Sequence, residues 1–95
     1  IPVSFALQQN YPNPFNPVTS ISFSLATEGA TQISLFDLSG REVKSLVNDR
    51  LMAGFHVLKI NAGDLPSGMY FYTISFQGDD GISTYSQTRK MVLMK

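Results

Sequence analysis

A chain of 95 residues with 43% apolar side chains is long enough for one small domain, too short for two, and too apolar for a disordered tail. Seven basic and seven acidic residues cancel to a net charge of zero, which argues against a binder of nucleic-acid phosphates. Cysteine is absent, so disulfides, thiolate metal sites and thiol nucleophiles are excluded.

No apolar run reaches the length of a membrane helix. Ile1-Pro2-Val3 does not open like a leader peptide. The expectation is that residues 1–95 form a single domain cut from a larger secreted protein, with a genuine C-terminus at Lys95.

In chain order, Ser4 to Gln8 alternates, with Phe5 and Leu7 on one face. The cluster Asn10-Tyr11-Pro12-Asn13-Pro14-Phe15-Asn16-Pro17 follows. Each proline holds the residue before it out of helix, here Tyr11, Asn13 and Asn16. Thr19 to Leu25 sets Ile21, Phe23 and Leu25 against three serines, the pattern of a half-buried antiparallel strand. Glu28-Gly29 reads as a turn. Thr31 to Leu38 is a strand whose apolar phase switches between Leu35 and Phe36, which predicts a bulge near Asp37 or a strand covered on both faces.

Ser39-Gly40 is a tight turn. Arg41 to Asn48 continues as a strand with Val43 inward and Leu46 out of phase. After a loop at Met52-Ala53-Gly54, Phe55 to Asn61 alternates, with His56, Leu58 and Ile60 on one side. Ser67-Gly68 starts the richest strand, where Tyr70, Tyr72, Ile74 and Phe76 share a face. Gln77 to Gly81 is a hairpin loop. Ile82 to Met94 is long for one strand and is expected to break near Gln87. No segment has a helical period. About seven short strands separated by turn signals predict an all-β, immunoglobulin-like antiparallel β-sandwich.

Residues able to do chemistry are scarce. His56 is the only histidine, so a two-histidine metal site is excluded; its phase with Leu58 and Ile60 predicts a partly buried ring bonded to backbone. Asp79-Asp80 reads as a solvated turn rather than a calcium loop. No serine stands in a nucleophile elbow, and no glycine-rich phosphate loop is present. The reading is of a domain that partners bind, with no enzyme activity and no cofactor.

Five pieces stand in order across nearly the whole chain: Asn10 to Pro17; Leu35-Phe36-Asp37-Leu38-Ser39-Gly40-Arg41-Glu42-Val43; Ala53-Gly54-Phe55-His56; Leu65-Pro66-Ser67-Gly68-Met69-Tyr70-Phe71-Tyr72; and Lys90-Met91-Val92-Leu93-Met94-Lys95. Their order, spacing and terminal lysine make the set specific. It resembles the type A C-terminal sorting domain of the type IX secretion system of Bacteroidota and related bacteria. The resemblance implies a sandwich that carries an N-terminal cargo domain through the periplasm and across the outer membrane, to the cell surface or the medium. The implied partners are the outer-membrane secretion machinery and a sortase-like protease that removes the domain and couples cargo to lipopolysaccharide. Many members have Trp where Ile60 stands and Asp where Asn61 stands. The flagellar hook-capping protein shares the pieces around Asp37–Arg41 and Ser67–Tyr70, but the Asn-Pro cluster and Lys95 favour sorting.

On this resemblance the motif residues are Pro12, Asn13, Pro14, Phe15, Asn16, Pro17, Asp37, Gly40, Arg41, Gly54, His56, Ser67, Gly68 and Tyr70. Physical roles follow for several of them. Gly40 and Gly68 would supply positive φ or close approach, Arg41 would pair with Asp37, and Tyr70 would bond backbone at a sheet corner. The Asn-Pro cluster would set how the first strand enters the sandwich. Arg89, Lys90, Met91, Val92, Leu93, Met94 and Lys95 are expected to contact the export machinery, because the last side chains should add little to a core. The last strand shows no protection of its edge, so a homodimer by strand exchange is expected at high concentration. Two alternatives remain: a carbohydrate-binding or cell-attachment module using an exposed row of Tyr70 and Tyr72, and a structural spacer.

Overall fold

Alternation at period two dominates the sequence, and a computed structural model, which describes residues 4–95, turns it into strands throughout. Ile1-Pro2-Val3, read above as the middle of a longer chain, lies outside the described residues. The elements are β1 (Ala6–Leu7), β2 (Val18–Leu25), β3 (Gly29–Phe36), β4 (Glu42–Leu51), β5 (Gly54–Asn61), β6 (Gly68–Gly78) and β7 (Thr84–Leu93). They form two antiparallel sheets, β1-β2-β5 and β4-β3-β6-β7. Leu7, Ile21, Phe23, Leu25, Ile60 and Phe15 from one side meet Ile33, Leu35, Tyr72, Ile74, Met91 and Leu93 from the other in one buried cluster. This is the expected immunoglobulin-like sandwich. Its Cα radius of gyration, 13.3 Å, is that of a chain near 100 residues folded as one unit.

The predicted inward residues are buried, except that Val43 and Leu58 are only partly covered. Two expectations about strands are revised. The bulge expected near Asp37 is present at the Leu35–Phe36 step, but its extra residue, Val43, stands in the partner strand β4, between Leu35↔Lys44 and Phe36↔Glu42. A second bulge in β4 makes Leu46 extra between the pairs Ile33↔Val47 and Ser34↔Ser45. Each extra residue turns the strand, so Val43, Leu46 and Val47 can all lean on the core. Phe36 keeps the phase of β3 and faces outward, and Leu38 stands in the exposed turn beyond it. The second correction concerns β7, which runs unbroken for 10 residues without a break at Gln87.

The glycine needed for close approach is Gly29, the first residue of β3. A Cβ there would lie 2.2 Å from the Gln77 carbonyl oxygen. The registers define two poles. One holds Leu25, Gly29, Leu51, Gly54 and Gly78; the other holds Val18, Phe36, Asn61, Gly68 and Leu93. The second is called the tail pole below.

Candidate functional site

Prolines lack an N–H donor, which keeps the Asn-Pro cluster from pairing as a regular strand, so its remaining donors and acceptors are free to reach elsewhere. They reach β7. Phe15 donates its N–H to the Val92 carbonyl (3.0 Å) and accepts from the Met94 N–H (2.9 Å). This short parallel bridge joins Phe15 to Leu93. Asn13 Oδ1 accepts the Val92 N–H at 2.9 Å, and Gln9 Nε2 donates to the Lys90 carbonyl at 2.6 Å. The Phe15 ring is buried in the core beneath them. The peptide bonds preceding Pro12, Pro14 and Pro17 are cis.

A second layer of polar contacts fixes the clamp from inside. Tyr72, fully buried in β6, donates its hydroxyl to the Gln8 carbonyl (2.7 Å) and accepts from the Asn10 N–H (2.9 Å). The Asn10 side chain is itself buried and donates to Pro12 O and Thr19 Oγ1. Burial pushes the Tyr72 phenol above its ordinary pKa, because its charged form would lose water. These contacts satisfy polar groups that would otherwise be stranded in the interior.

The sequence-predicted residues divide between the two poles. At the tail pole, Asp37 Oδ1 accepts from the Ser39 hydroxyl (2.6 Å) and from the N–H groups of Ser39 and Arg41, and Asp37 pairs with Arg41 at 3.3 Å as predicted. The Ser39 hydroxyl, followed by the Arg41 N–H, holds the Asp37 carboxyl below its ordinary pKa. Gly40 sits at φ +87°, open only to glycine without strain. Gly68 has φ +158° and, like Gly40, has no close neighbour among the described residues.

Tyr70 donates its hydroxyl to the Pro66 carbonyl at 2.6 Å, the expected corner contact. Ser67 Oγ accepts the Lys95 N–H at 3.0 Å, and Lys95 Nζ donates to the Gly63 carbonyl at 2.7 Å. Asp37, Leu38 and Ser39 face Ser67 through Tyr70 across a shallow groove. Thus the Asn-Pro cluster, the Asp37–Arg41 turn, the Ser67–Tyr70 corner and the tail come together.

Gly54 and His56 do not join them. They lie toward the opposite pole, paired with Leu25 and Phe23. The His56 ring stacks on Phe23 at 5.1 Å and its Nε2 meets the Met52 carbonyl at 2.8 Å, the backbone bond expected for it. Asp79 binds Arg50 at 2.6 Å, and Asp80 closes its own turn by accepting from Ser83 and Ile82, as a turn reading requires.

Three further expectations are corrected. Met91 and Leu93 are among the most deeply buried residues, so the tail is part of the core, contrary to the premise that its last side chains add little. Only Lys90, Met94 and Lys95 of the tail are exposed; Arg89 and Val92 are half-buried, with Arg89 Nε donating to the Leu7 carbonyl. The edge of β7 is not bare, since residues 9–15 occupy its last turn of donors and acceptors. Tyr70 and Tyr72 face inward and are buried, which removes the aromatic row that a sugar-binding platform on those residues needed.

Gln9, Asn10, Thr19 and Tyr72 were missed as parts of the site. The buried face shared by Tyr70 and Tyr72 was legible, but their partners lie on a segment far away in sequence.

Comparison with curated proteins gives no match. A family model described as the secretion system C-terminal sorting domain matches residues 9–93. That span runs from Gln9 to Leu93, the segments that grip each other in the clamp. The chain belongs to the secretion system C-terminal sorting domain family, and it is a type IX sorting signal that sends the protein bearing it to the cell surface or the medium.

Proposed function

We propose that the export machinery of the outer membrane reads the folded tail pole as one surface, rather than the tail as a loose peptide. The observation that supports this reading is the clamp itself, because Phe15 and Asn13 hold the backbone of Val92 and Met94 in place. Adding a partner strand to that edge would require displacing them. What remains open to a partner is the side-chain surface: Leu38 at 67% exposure, Met94 at 57%, and the ammonium groups of Lys90 and Lys95. Lysines around exposed apolar groups would orient an acidic partner and speed its encounter more than they raise affinity.

In this reading residues 1–95 act as one unit at the C-terminal end of a longer exported protein, and the cargo precedes it. The domain works by being bound and carries out no catalysis. Passage is through the periplasm and outer membrane, followed by removal by a sortase-like protease at the surface. Arg89 to Lys95 act as a structural rib whose exposed members contact the machinery.

The test fuses the domain to a periplasmic reporter in a host with type IX secretion. Leu38→Asp, Lys90→Glu and Met94→Asp are introduced together, since all three side chains point to solvent. The purified variant should melt within a few degrees of the parent while reporter at the surface falls sharply and accumulates in the periplasm. Normal export of the folded triple variant would overturn the reading.

A further inference from the structure

The outer face of the β4-β3-β6-β7 sheet carries a second feature, on the opposite side of β6 from Tyr70 and Tyr72. Strand registers place Asn48, Gln32, Ser75 and Ser86 side by side across all four strands. The next row toward the tail pole is Ser45, Ser34, Thr73 and Thr88. Both rows consist of hydroxyls and amides only. The two adjacent rows carry no charged side chain.

The row beyond changes character. It reads Glu42, Phe36, Phe71 and Lys90, two half-buried rings flanked by opposite charges. Three shallow depressions overlap along this face: one beside Phe36 and Phe71, one at Ser34 and Thr73, and one at Gln32 and Ser75. Together they form an open groove along β3 and β6. The side chains of Gln32, Ser34, Ser75 and Asn48 make no hydrogen bond with another described residue, whereas Thr73 and Thr88 bond each other at 2.8 Å.

We propose that this groove binds a neutral polysaccharide strand. The argument is one of charge and polarity matching. A sugar chain offers uncharged hydroxyls that both donate and accept, the complement of serine, asparagine and glutamine side chains, and its apolar C–H faces fit against aromatic rings such as Phe36 and Phe71. A phosphate-bearing or acidic chain would find no cation in the two polar rows, and Arg50 beside them is already paired with Glu28 and Asp79. A protein partner is disfavoured because the centres of protein interfaces are apolar, whereas here the centre is polar and the apolar pair stands at one end. The groove runs the length of β3, 8 residues, or roughly 27 Å at about 3.4 Å per residue, enough for several linked sugars. Binding there adjoins the sorting surface only at its Phe36 and Lys90 end, because Gln32 and Ser75 lie away from the tail pole.

The experiment is affinity electrophoresis of the 95-residue chain through gels containing dextran, yeast mannan, xylan or barley β-glucan, with alginate as the acidic control. At least one neutral polymer should retard the chain and alginate should not. Amide chemical-shift changes on adding soluble fragments of that polymer should cluster at Gln32 to Phe36 and Phe71 to Gln77. Gln32→Lys and Ser75→Lys, exposed positions that leave the melting temperature unchanged, should each weaken binding about tenfold by removing a hydrogen bond and intruding on the groove. Retardation by none of the four neutral polymers, retardation by alginate alone, or shifts confined to another face would overturn the proposal. A dimer in light scattering that Gln32→Lys or Ser75→Lys disrupts would do so as well.

Discussion

The Tyr72 hydroxyl is the single polar atom on which the clamp most depends, because it serves the part-buried Gln8 carbonyl and the buried Asn10 N–H at once. Tyr72→Phe keeps the ring but strands both groups, so it should lower unfolding free energy by about 1–3 kcal/mol in urea titration. The corner hydroxyl of Tyr70 serves one carbonyl, and Tyr70→Phe should lose less. Acid should act through the turns. Asp37 and Asp80 are held below the ordinary carboxylate range, first by the hydroxyls of Ser39 and Ser83, and Asp64 by its bond from Lys44. A lowered folded pKa means that the unfolded chain binds protons more readily. The stabilisation is therefore present above the ordinary carboxylate range and is lost as pH falls through about 4 and below. Tyr72 has the opposite sign, and its contribution fades as pH rises beyond its ordinary pKa near 10. Melting temperature measured across pH should decline at both ends, and Asp80→Asn should flatten the acid limb. Local residue roles were legible in the sequence: Asp37 with Arg41, Tyr70 at its corner, and His56 on a backbone carbonyl are each within four residues of their partners. Asn10 and Tyr72 were not, since 62 positions separate them and no local pattern marks a contact of that span.

Strands with clean alternation, β2, β5 and β6, could be placed from the sequence because period two maps directly onto an inner and an outer face. β4 could not, because each of its two extra residues resets that period. The tail is the instructive failure. Met91 and Leu93 alternate with Val92 and Met94, the same signal that identified β2, but the bracketing lysines suggested a peptide presented to solvent. Its burial changes what truncation should do. Deleting Met91 to Lys95 removes two core side chains and unclasps Phe15, so the product should lose its β-sheet circular dichroism and its resistance to protease instead of waiting folded in the periplasm. Single core truncations scale the effect. Met91→Ala should cost about 2–5 kcal/mol and Phe15→Ala about 3–5 kcal/mol, large against the ~5–15 kcal/mol of a small domain.

For the molecule as a whole, the edges determine how copies could meet. The last part of β7 is occupied by residues 9–15, and β4 is twisted by its bulges, a common defence of exposed edges. Among the described residues nothing gives β5 either protection, and it shows Phe55 at 78% and Val57 at 71% exposure. Self-association at high concentration should therefore use β5, not exchange of β7, and Val57→Lys should abolish it in sedimentation velocity. The two-sheet class was readable from strand count and turn spacing, whereas the distribution of protected edges was not, because protection comes from a distant segment. The clamp also has a consequence in time. It joins Phe15 to Leu93, so it closes nearly the largest loop the chain can make, and loops of that size are entropically late. Formed after the rate-limiting barrier, it would govern how slowly the domain comes apart rather than how quickly it assembles. Asn13→Ala should then leave the refolding rate in stopped flow unchanged while accelerating unfolding, and a domain emerging residue by residue would reach its full lifetime only once Met94 has been made and Phe15 has closed on it.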